Sequence, residues 1–341
     1  MADPTGIEIR NLYKIFGARP ERFVESAKQG MSKAELNSKH AHILGLRDIN
    51  LSIAPASIQV IMGLSGSGKS TLLRHINRLI EPTAGEIVIN GTDIVKLSPA
   101  DLQAFRRETT AMVFQKFALL PHRSIIDNVL FGLEIKGTEK AQARDRGMFW
   151  LERVGLKGFE GKYPAELSGG MQQRVGLARA LANDAPILLM DEAYSALDPL
   201  IRTDMQTMLL DLQRELKKTI IFITHDLDEA LRLGDSIAIL RDGELIQQGS
   251  RQDIVLRPAD DYVATFVAEV NRAKVVTVGA LMTPHSGDQL LSVKAGATVE
   301  QALEIMTSAE QERLQVTTEE GAPLGEVRLL DLARAMVKRA A

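Results

Sequence analysis

The sequence predicts an α/β fold with a substantially parallel sheet. Short apolar runs alternate with helical patterns along the chain, which is typical of strand–helix–strand units. The runs at 58–62, 187–190 and 219–224 are predominantly apolar, as expected for strands that are covered on both faces. The first run leads into a glycine-rich loop and then into a helical pattern. The length of 341 residues leaves room for about two domains.

Local patterns predict further elements. The segment 70–79 is expected to form a helix with its leucines and isoleucine, including Leu79, on the buried side. Asn90-Gly91 lies between two short strand patterns and predicts a hairpin turn. A polar segment at about 18–44 is expected to form a helical insertion between the first strand and the core.

Composition and charge exclude several classes of protein. The chain has no cysteine, so disulfides, thiolate zinc sites and thiol catalysis are excluded. Its formal net charge of −3 gives no electrostatic reason to expect a nucleic-acid partner. No apolar run approaches the ~18–20 residues of a membrane-spanning helix, and the first residues lack the pattern of a secretion signal. We therefore expect a cytosolic protein unless a partner holds it at a membrane.

The sequence GLSGSGKST at 63–71 fits the Walker A pattern of a phosphate-binding loop. Its glycines let the backbone turn N–H groups towards a phosphate, and the dipole of the following helix adds to the attraction. Lys69 supplies a positive charge to the β- and γ-phosphates, and the Ser70 hydroxyl can ligate Mg²⁺. The residues predicted to bind a nucleoside triphosphate are Gly63, Ser65, Gly66, Ser67, Gly68, Lys69, Ser70 and Thr71.

Two acidic residues follow the apolar run at 187–190. Side chains at the carboxyl edge of a parallel sheet emerge beside bound ligands, which predicts that Asp191 and Glu192 lie near the phosphate loop. Asp191 is predicted to bind Mg²⁺ through water. Glu192 is predicted to polarise the attacking water as a general base.

A third motif, LSGGMQQ at 167–173, precedes the apolar run at 187–190. A Walker A loop, an LSGG sequence and an apolar run that ends in Asp-Glu together resemble the ATP-binding cassette (ABC) family of ATPases. The resemblance implies an ABC-type nucleotide-binding domain with a RecA-like core, an antiparallel β subdomain and a helical subdomain that carries the LSGG motif. It also implies that the chain binds ATP and Mg²⁺ and hydrolyses ATP.

The resemblance assigns roles to further residues. Gln115 resembles the Q-loop glutamine that contacts Mg²⁺ or the lytic water, and His225 resembles the switch histidine that contacts the γ-phosphate. Asp198, in the sequence SALD, resembles the D-loop that helps to couple two ATP sites. In the family, an aromatic side chain ahead of the Walker A loop stacks on adenine. Phe16 fits that position best, and Tyr13 is the alternative.

The LSGG motif implies a homodimer. In the family, its serine and two glycines act on the ATP that the other protomer holds. A helix N-terminus built from small residues suits such a close approach to phosphate. Each chain therefore supplies the phosphate loop of one ATP site and the LSGG motif of the other site. ATP is expected to join two such chains head to tail. The residues concerned are Ser168, Gly169 and Gly170.

The finer resemblance is to ATPase subunits of bacterial glycine betaine/proline importers. It spans most of 7–270 and rests on the stretches 11–17, 61–65, 77–82 and 195–202. It implies a peripheral subunit at the cytoplasmic face of the bacterial inner membrane that powers an integral membrane permease, served indirectly by a periplasmic or surface substrate-binding protein. The implied cargo is a quaternary amine such as glycine betaine, choline, proline betaine or trimethylamine N-oxide. An importer ATPase for another amine or amino acid, and a non-transport regulator driven by ATP, remain alternatives.

The C-terminal part, 272–341, is predicted to be a small α+β domain that follows an ATPase domain at 1–271. A helix near 299–307, a strand near 315–317 and a helix at 329–338 are expected, and the motifs around them resemble one CBS motif. Betaine importers often carry two such motifs in tandem, linked to sensing of ionic strength, and this chain has room for one. Sensing of ionic strength, binding of a nucleotide, and dimerisation with its own copy all stay open for this unit.

Overall fold

A computed structural model describes residues 5–284 and 290–336. The strands are β1 (Ile7–Phe16), β2 (Ile43–Ile53), β3 (Ile58–Met62), β4 (Ala84–Ile89), β5 (Thr92–Asp93), β6 (Thr110–Val113), β7 (Ile187–Asp191), β8 (Thr219–Thr224), β9 (Ser236–Arg241), β10 (Glu244–Gly249), β11 (Ser292–Lys294), β12 (Arg313–Thr317) and β13 (Pro323–Arg328). The α-helices are α1 (Val24–Lys28), α2 (Lys33–His40), α3 (Lys69–Ile76), α4 (Pro99–Glu108), α5 (Ile125–Lys136), α6 (Lys140–Arg153), α7 (Gly169–Ala182), α8 (Pro199–Leu216), α9 (Leu227–Leu233), α10 (Arg251–Leu256), α11 (Asp261–Val267), α12 (Arg272–Val275), α13 (Val299–Ala309) and α14 (Leu329–Met336). Short 3₁₀ helices lie at Pro20–Phe23, Ile94–Lys96, Pro164–Glu166 and Val278–Ala280.

The larger sheet has the strand order β10-β9-β3-β8-β7-β6. The pairs β3–β8, β3–β9, β6–β7 and β7–β8 are parallel, which confirms the predicted parallel sheet. All residues of β3, β7 and β8 are buried, as expected for strands that are covered on both faces. Because these strands are parallel, the loops that follow them meet at one edge of the sheet.

A second sheet, with the order β2-β1-β4-β5, is antiparallel. Its β4–β5 hairpin turns at Asn90 and Gly91, whose φ values of 49° and 75° are the two positive values of a type I′ turn. The predicted hairpin is therefore confirmed. The LSGG motif lies apart from both sheets, at the start of α7, which packs against α5 and α6.

The segment predicted as a helical insertion is helical only in part. It contains one 3₁₀ turn, α1 and α2, whereas its last residues, Ile43 and Leu44, already belong to β2. A capping box begins α2, in which Ser32 and Glu35 satisfy each other's backbone N–H groups. Although the segment is polar in composition, its apolar residues are buried in a small core with β1. That core contains Tyr13, Ile15, Val24, Ala27, Leu36 and Leu44.

The helix after the phosphate loop is shorter than predicted. It ends at Ile76, and its residues Leu72, Leu73 and Ile76 are buried as expected. Leu79 lies beyond the helix and is 53% exposed, so its predicted burial is wrong. The physical reason is the backbone of Arg78, whose φ of 51° is left-handed and turns the chain away from the helical path.

The chain divides into two compact units, Met1–Ile246 and Gln247–Ala341. This division falls before the predicted domain boundary at 271/272, because α10 packs on both α11 and α12. The second unit contains the sheet β11-β12-β13, with α13 and α14 packed on each other. The predicted helix near 299–307 corresponds to α13 and the strand near 315–317 to β12, while residues 337 and 338 of the last predicted helix lie outside the described residues.

Within residues 5–284 and 290–336, no helix combines the length and the apolar composition that crossing a bilayer requires.

Candidate nucleotide-binding site

The phosphate loop joins β3 to α3 and has the backbone that its glycines predict. Gly63, Gly66 and Gly68 have φ values of 150°, 79° and 101°, a region that favours glycine. A Cβ atom at Gly63 would lie 2.2 Å from the carbonyl oxygen of Leu240, so a side chain has no room there. A Cβ atom at Gly66 would meet nothing within 4 Å. The loop is thus packed against the sheet at its start and open at its middle, where a phosphate can approach.

Lys69 is the first residue of α3, and its side chain reaches back to the start of the phosphate loop. Its Nζ donates hydrogen bonds to the carbonyl oxygens of Gly63 at 2.9 Å and Leu64 at 3.0 Å. The side chain is buried, and desolvation lowers the pKa of its ammonium group. The negative charges of Glu192 and Asp191 partly oppose this shift. A phosphate in the loop would offer this cation a charged acceptor in place of two neutral carbonyl groups.

Two observations fit this loop to a phosphate ligand with a bound cation. The hydroxyl of Ser67 is buried and has no hydrogen-bond partner in the described part of the chain, so it is free to contact a phosphate oxygen. The hydroxyl of Ser70 donates to Oδ1 of Asp191 at 2.7 Å. Hydroxyl and carboxylate oxygens suit Mg²⁺, which takes substrate phosphates and waters as its other ligands. A metal cage made of three or more His, Asp or Glu side chains does not occur among residues 5–284 and 290–336.

Arg74 also reaches this group, although the sequence motifs do not include it. Its Nη2 lies 3.3 Å from Oδ2 of Asp191, so both carboxylate oxygens have partners on α3. Arg74 follows Ser70 by four residues, and side chains at this spacing share one face of a helix. That spacing is the signal from which the contact could have been predicted.

Glu192 is the centre of a second group of predicted residues. Its φ of 46° is costly for a residue other than glycine, and such strain often occurs at functional sites. Its Oε2 accepts a hydrogen bond from Nε2 of Gln115 at 3.0 Å and lies 3.8 Å from Nδ1 of His225. Gln115 also lies 3.4 Å from Oγ of Ser195, and that hydroxyl donates to the carbonyl oxygen of Glu192 at 3.0 Å. The structure therefore brings together Gln115, Glu192 and His225, the three predicted catalytic residues.

Asp198 and the LSGG motif lie at helix N-termini. Asp198 caps α8 by accepting a backbone hydrogen bond at 3.1 Å, and Ser168 caps α7 by accepting one at 3.3 Å. Gly169 and Gly170 are the first two residues of α7. One cap satisfies one of the four unpaired N–H groups of a first turn, so the other N–H groups of α7 can face an anion.

The two candidates for the adenine platform differ in exposure. Phe16 is the last residue of β1 and is 38% exposed, with the ammonium of Lys14 at 4.9 Å from its ring centroid. Tyr13 is 5% exposed and belongs to the core of the insertion. Stacking on a base requires an accessible ring face, so the exposure favours Phe16.

Comparison with known proteins extends these observations. The ABC transporter family model matches residues 46–195, and the CBS domain model matches residues 278–338. The glycine betaine/proline betaine transport system ATP-binding protein ProV of Escherichia coli K12 is 49% identical over 308 residues, which cover 90% of this chain and 76% of the relative. The trimethylamine N-oxide transport system ATP-binding protein TmoW of Ruegeria pomeroyi is 46% identical over 310 residues, 91% of each chain.

A solved structure is similar over most of the cassette. The dimeric ATP-binding cassette MJ0796, in a post-hydrolysis state bound to ADP and Pi, has a TM-score of 0.61 and 33% identity, and the match covers 72% of this chain and 98% of that one. The matched stretch at 46–195 contains the phosphate loop and the Asp-Glu pair whose geometry is given above. By its site, its fold and its relatives, the chain belongs to the ABC transporter family, as an ATP-binding ATPase subunit with a C-terminal CBS domain.

Proposed function

We propose that this chain powers a membrane permease that imports a quaternary amine, such as glycine betaine, choline, proline betaine or trimethylamine N-oxide. The observation that carries the proposal is the similarity to ProV and TmoW over about nine-tenths of the chain, because both are named for systems that transport such compounds. The assembled group of Gln115, Glu192 and His225 supports turnover of ATP over binding alone.

In the proposed reaction, Glu192 accepts the proton of the water that attacks the γ-phosphorus, and the bond to the leaving ADP oxygen breaks. Gln115 holds the carboxylate of Glu192, and His225 donates to the γ-phosphate. Lys69 stabilises the negative charge that spreads over the phosphate oxygens. Ser70, Gln115 and, through water, Asp191 would hold Mg²⁺, which would offset the negative charge of the phosphates.

We also propose a homodimer with two ATP molecules between its chains. The N-terminus of α7, with Ser168, Gly169 and Gly170, would contact the γ-phosphate that the phosphate loop of the partner holds. The dimeric state of the similar cassette MJ0796 supports this arrangement. Hydrolysis then removes the group that both chains contact and releases the dimer, which is how the cycle would move the permease.

The proposed partners follow from the relatives. ProV and TmoW are ATP-binding proteins of transport systems, so we propose that this chain lies at the cytoplasmic face of a bacterial membrane against integral permease subunits. A periplasmic or surface substrate-binding protein would deliver the cargo without touching this chain.

Two alternatives predict different cellular results. An importer ATPase for another amine or amino acid would keep the whole ATP site, since the ATPase does not contact the cargo. A non-transport regulator would use ATP-driven dimerisation as a signal, with the CBS domain as its sensor. Copurification with an integral membrane protein argues against the regulator.

Uptake of labelled glycine betaine, choline, trimethylamine N-oxide and proline tests the proposal. Cells carry the native permease with the wild-type chain, Glu192→Gln or Glu269→Gln, the last of which removes an exposed carboxylate of the second unit. We expect uptake of at least one quaternary amine that disappears in Glu192→Gln and persists in Glu269→Gln. Equal uptake of all four compounds in every strain would reject the quaternary-amine assignment.

The same cells test the role of the CBS domain. If uptake rises with osmolarity at constant protein level, this single domain suffices for sensing of ionic strength. If uptake does not respond, dimerisation with its own copy is the simpler role.

Phe16→Ala is expected to weaken ATP binding by roughly 5- to 150-fold, because stacking of a base on an aromatic ring contributes about 1–3 kcal/mol. Binding of inorganic tripolyphosphate should not change, since that ligand has no base. Titration calorimetry measures both affinities, and Tyr13→Phe, which keeps the buried ring, is the control. An unchanged ATP affinity in Phe16→Ala would reject the platform.

A further inference from the structure

One guanidinium joins two loops of the proposed site. Arg202 lies in the first turn of α8, and its Nη2 donates to the carbonyl oxygen of Leu197 at 3.2 Å. Its Nη1 donates to Oδ2 of Asp226 at 3.3 Å. Leu197 precedes Asp198 in the predicted D-loop, and Asp226 directly follows His225. A single side chain therefore spans the D-loop and the loop of the predicted switch histidine.

Asp226 is also held from its other side. Its Oδ1 accepts the backbone N–H of Glu229 at 3.1 Å and so caps α9, while its own N–H donates to the hydroxyl of Thr224 at 2.9 Å. With Oδ1 engaged by α9, the contact with Arg202 is made by the second carboxylate oxygen. The carboxylate therefore ties Arg202 to the start of α9 and to the turn that carries His225.

Two further contacts link the same pair of helices. Nε2 of Gln206 donates to Oε1 of Glu229 at 3.0 Å in the buried part of the interface. Nη2 of Arg232 donates to the hydroxyl of Thr207 at 2.8 Å in the exposed part. Both contacts hold α8 against α9, but neither includes a residue of the D-loop. Loss of one of these contacts therefore serves as a comparison for loss of the contacts made by Arg202.

We infer that Arg202 is a positioning residue for ATP hydrolysis. It holds the D-loop and the loop that carries His225 in a fixed relative position, so that Ser195 and His225 both lie beside Glu192. This inference rests on the proposed roles of Glu192 and His225. Arg202 touches none of the reacting atoms and acts through Leu197. In the proposed dimer, a movement of the D-loop at one site also moves the histidine of the same chain.

The test is a double-mutant cycle on the purified full-length chain, with ATP hydrolysis measured over a range of Mg-ATP concentrations. Arg202→Met removes the guanidinium. Asp226→Asn removes the charge but keeps the helix cap, since Asn caps helices as well as Asp does. Each single variant is expected to lower kcat roughly tenfold with a change of less than about twofold in the KM for ATP. The double variant should be no slower than either single variant, because both changes remove one contact.

The matched control is Arg232→Met, which removes the contact between the same helices at Thr207. It is expected to lower thermal stability about as much as Arg202→Met while leaving kcat unchanged. An equal loss of kcat in Arg232→Met, or additive losses in the double variant, overturns the inference. Glu192→Gln, measured beside them, separates the two proposals. An inactive Glu192→Gln with a fully active Arg202→Met rejects the positioning role alone, whereas an active Glu192→Gln rejects the proposed site.

Discussion

Replacing Glu192 by Gln is expected to slow ATP hydrolysis by ~10²–10⁴-fold, the usual contribution of a general base. The amide keeps the size of the side chain but cannot accept the proton of the attacking water. ATP binding should persist, because the phosphate loop and Lys69 are untouched. The variant should therefore accumulate as a dimer with ATP trapped between its chains. Release of inorganic phosphate measures the rate, and size-exclusion chromatography with and without Mg-ATP measures the dimer.

Glu269→Gln is the control for this variant, since it also removes one negative charge but lies exposed on the second unit. It should hydrolyse ATP at the wild-type rate and show no trapped dimer. Near-normal turnover in Glu192→Gln would remove this residue from its proposed role. Slow turnover without an ATP-dependent dimer would instead contradict the head-to-tail arrangement.

The family resemblance named Gln115 and His225, and the strand order explains why the proposed catalytic group assembles, because each member follows a strand. Gln115, Glu192 and His225 come just after β6, β7 and β8, which are neighbours in the larger sheet. Once the strands are recognised as parallel, their following residues must meet at one edge. The same argument accounts for the position of the phosphate loop, which follows β3 and was predicted from its Walker A pattern.

Contacts made by side chains within and between loops could not be predicted in this way. The link from Ser195 to Gln115 depends on the path of the D-loop, which has no periodic pattern. The link from Arg202 to Asp226 depends on how α8 packs on α9. Sequence spacing along one helix, by contrast, does predict that Ser70 and Arg74 can reach the same carboxylate.

Strand alternation alone does not show which of the two aromatic rings is buried. Tyr13 and Phe16 are three residues apart, which in a regular strand places them on opposite faces. The register of β1 against β2 shifts between Leu12 and Lys14 and again between Lys14 and Ile15, so the alternation cannot be counted along the chain. The burial of Tyr13 and the exposure of Phe16 became apparent only in the structure. The exposure of Leu79 was also hidden in the sequence, since the left-handed residue shortly after the end of α3 is an arginine and not a glycine.

A buried histidine on α3 predicts a second large effect, on stability against acid. His75 is fully buried, its Nδ1 donates to the carbonyl oxygen of Thr71 at 2.6 Å, and its Nε2 has no partner in the described structure. Burial lowers the pKa of this imidazole to about 4; the hydrogen bond to the Thr71 carbonyl and the charge of Glu81 oppose this shift, and the charge of Lys14 adds to it. The unfolded chain takes up the same proton near the ordinary pKa of about 6.5. Between these two pH values the unfolded state binds more protons, so the free energy of unfolding must fall as the pH falls.

This contribution is fully present above pH 6.5 and is lost progressively towards pH 4. Between pH 8 and pH 5 it amounts to about 2 kcal/mol of unfolding free energy. His75→Leu should remove this pH dependence, because leucine fills a similar volume and does not titrate. The difference in unfolding free energy between wild type and variant should therefore change by about 2 kcal/mol between pH 8 and pH 5. Urea unfolding without nucleotide measures it, since bound ATP would add its own pH dependence. His122→Gln, at an exposed histidine, should follow the wild type. If His75→Leu kept the full acid sensitivity of the wild type, the proton would have to enter elsewhere, and the imidazole beside the phosphate loop would not be the neutral, buried group that its surroundings require.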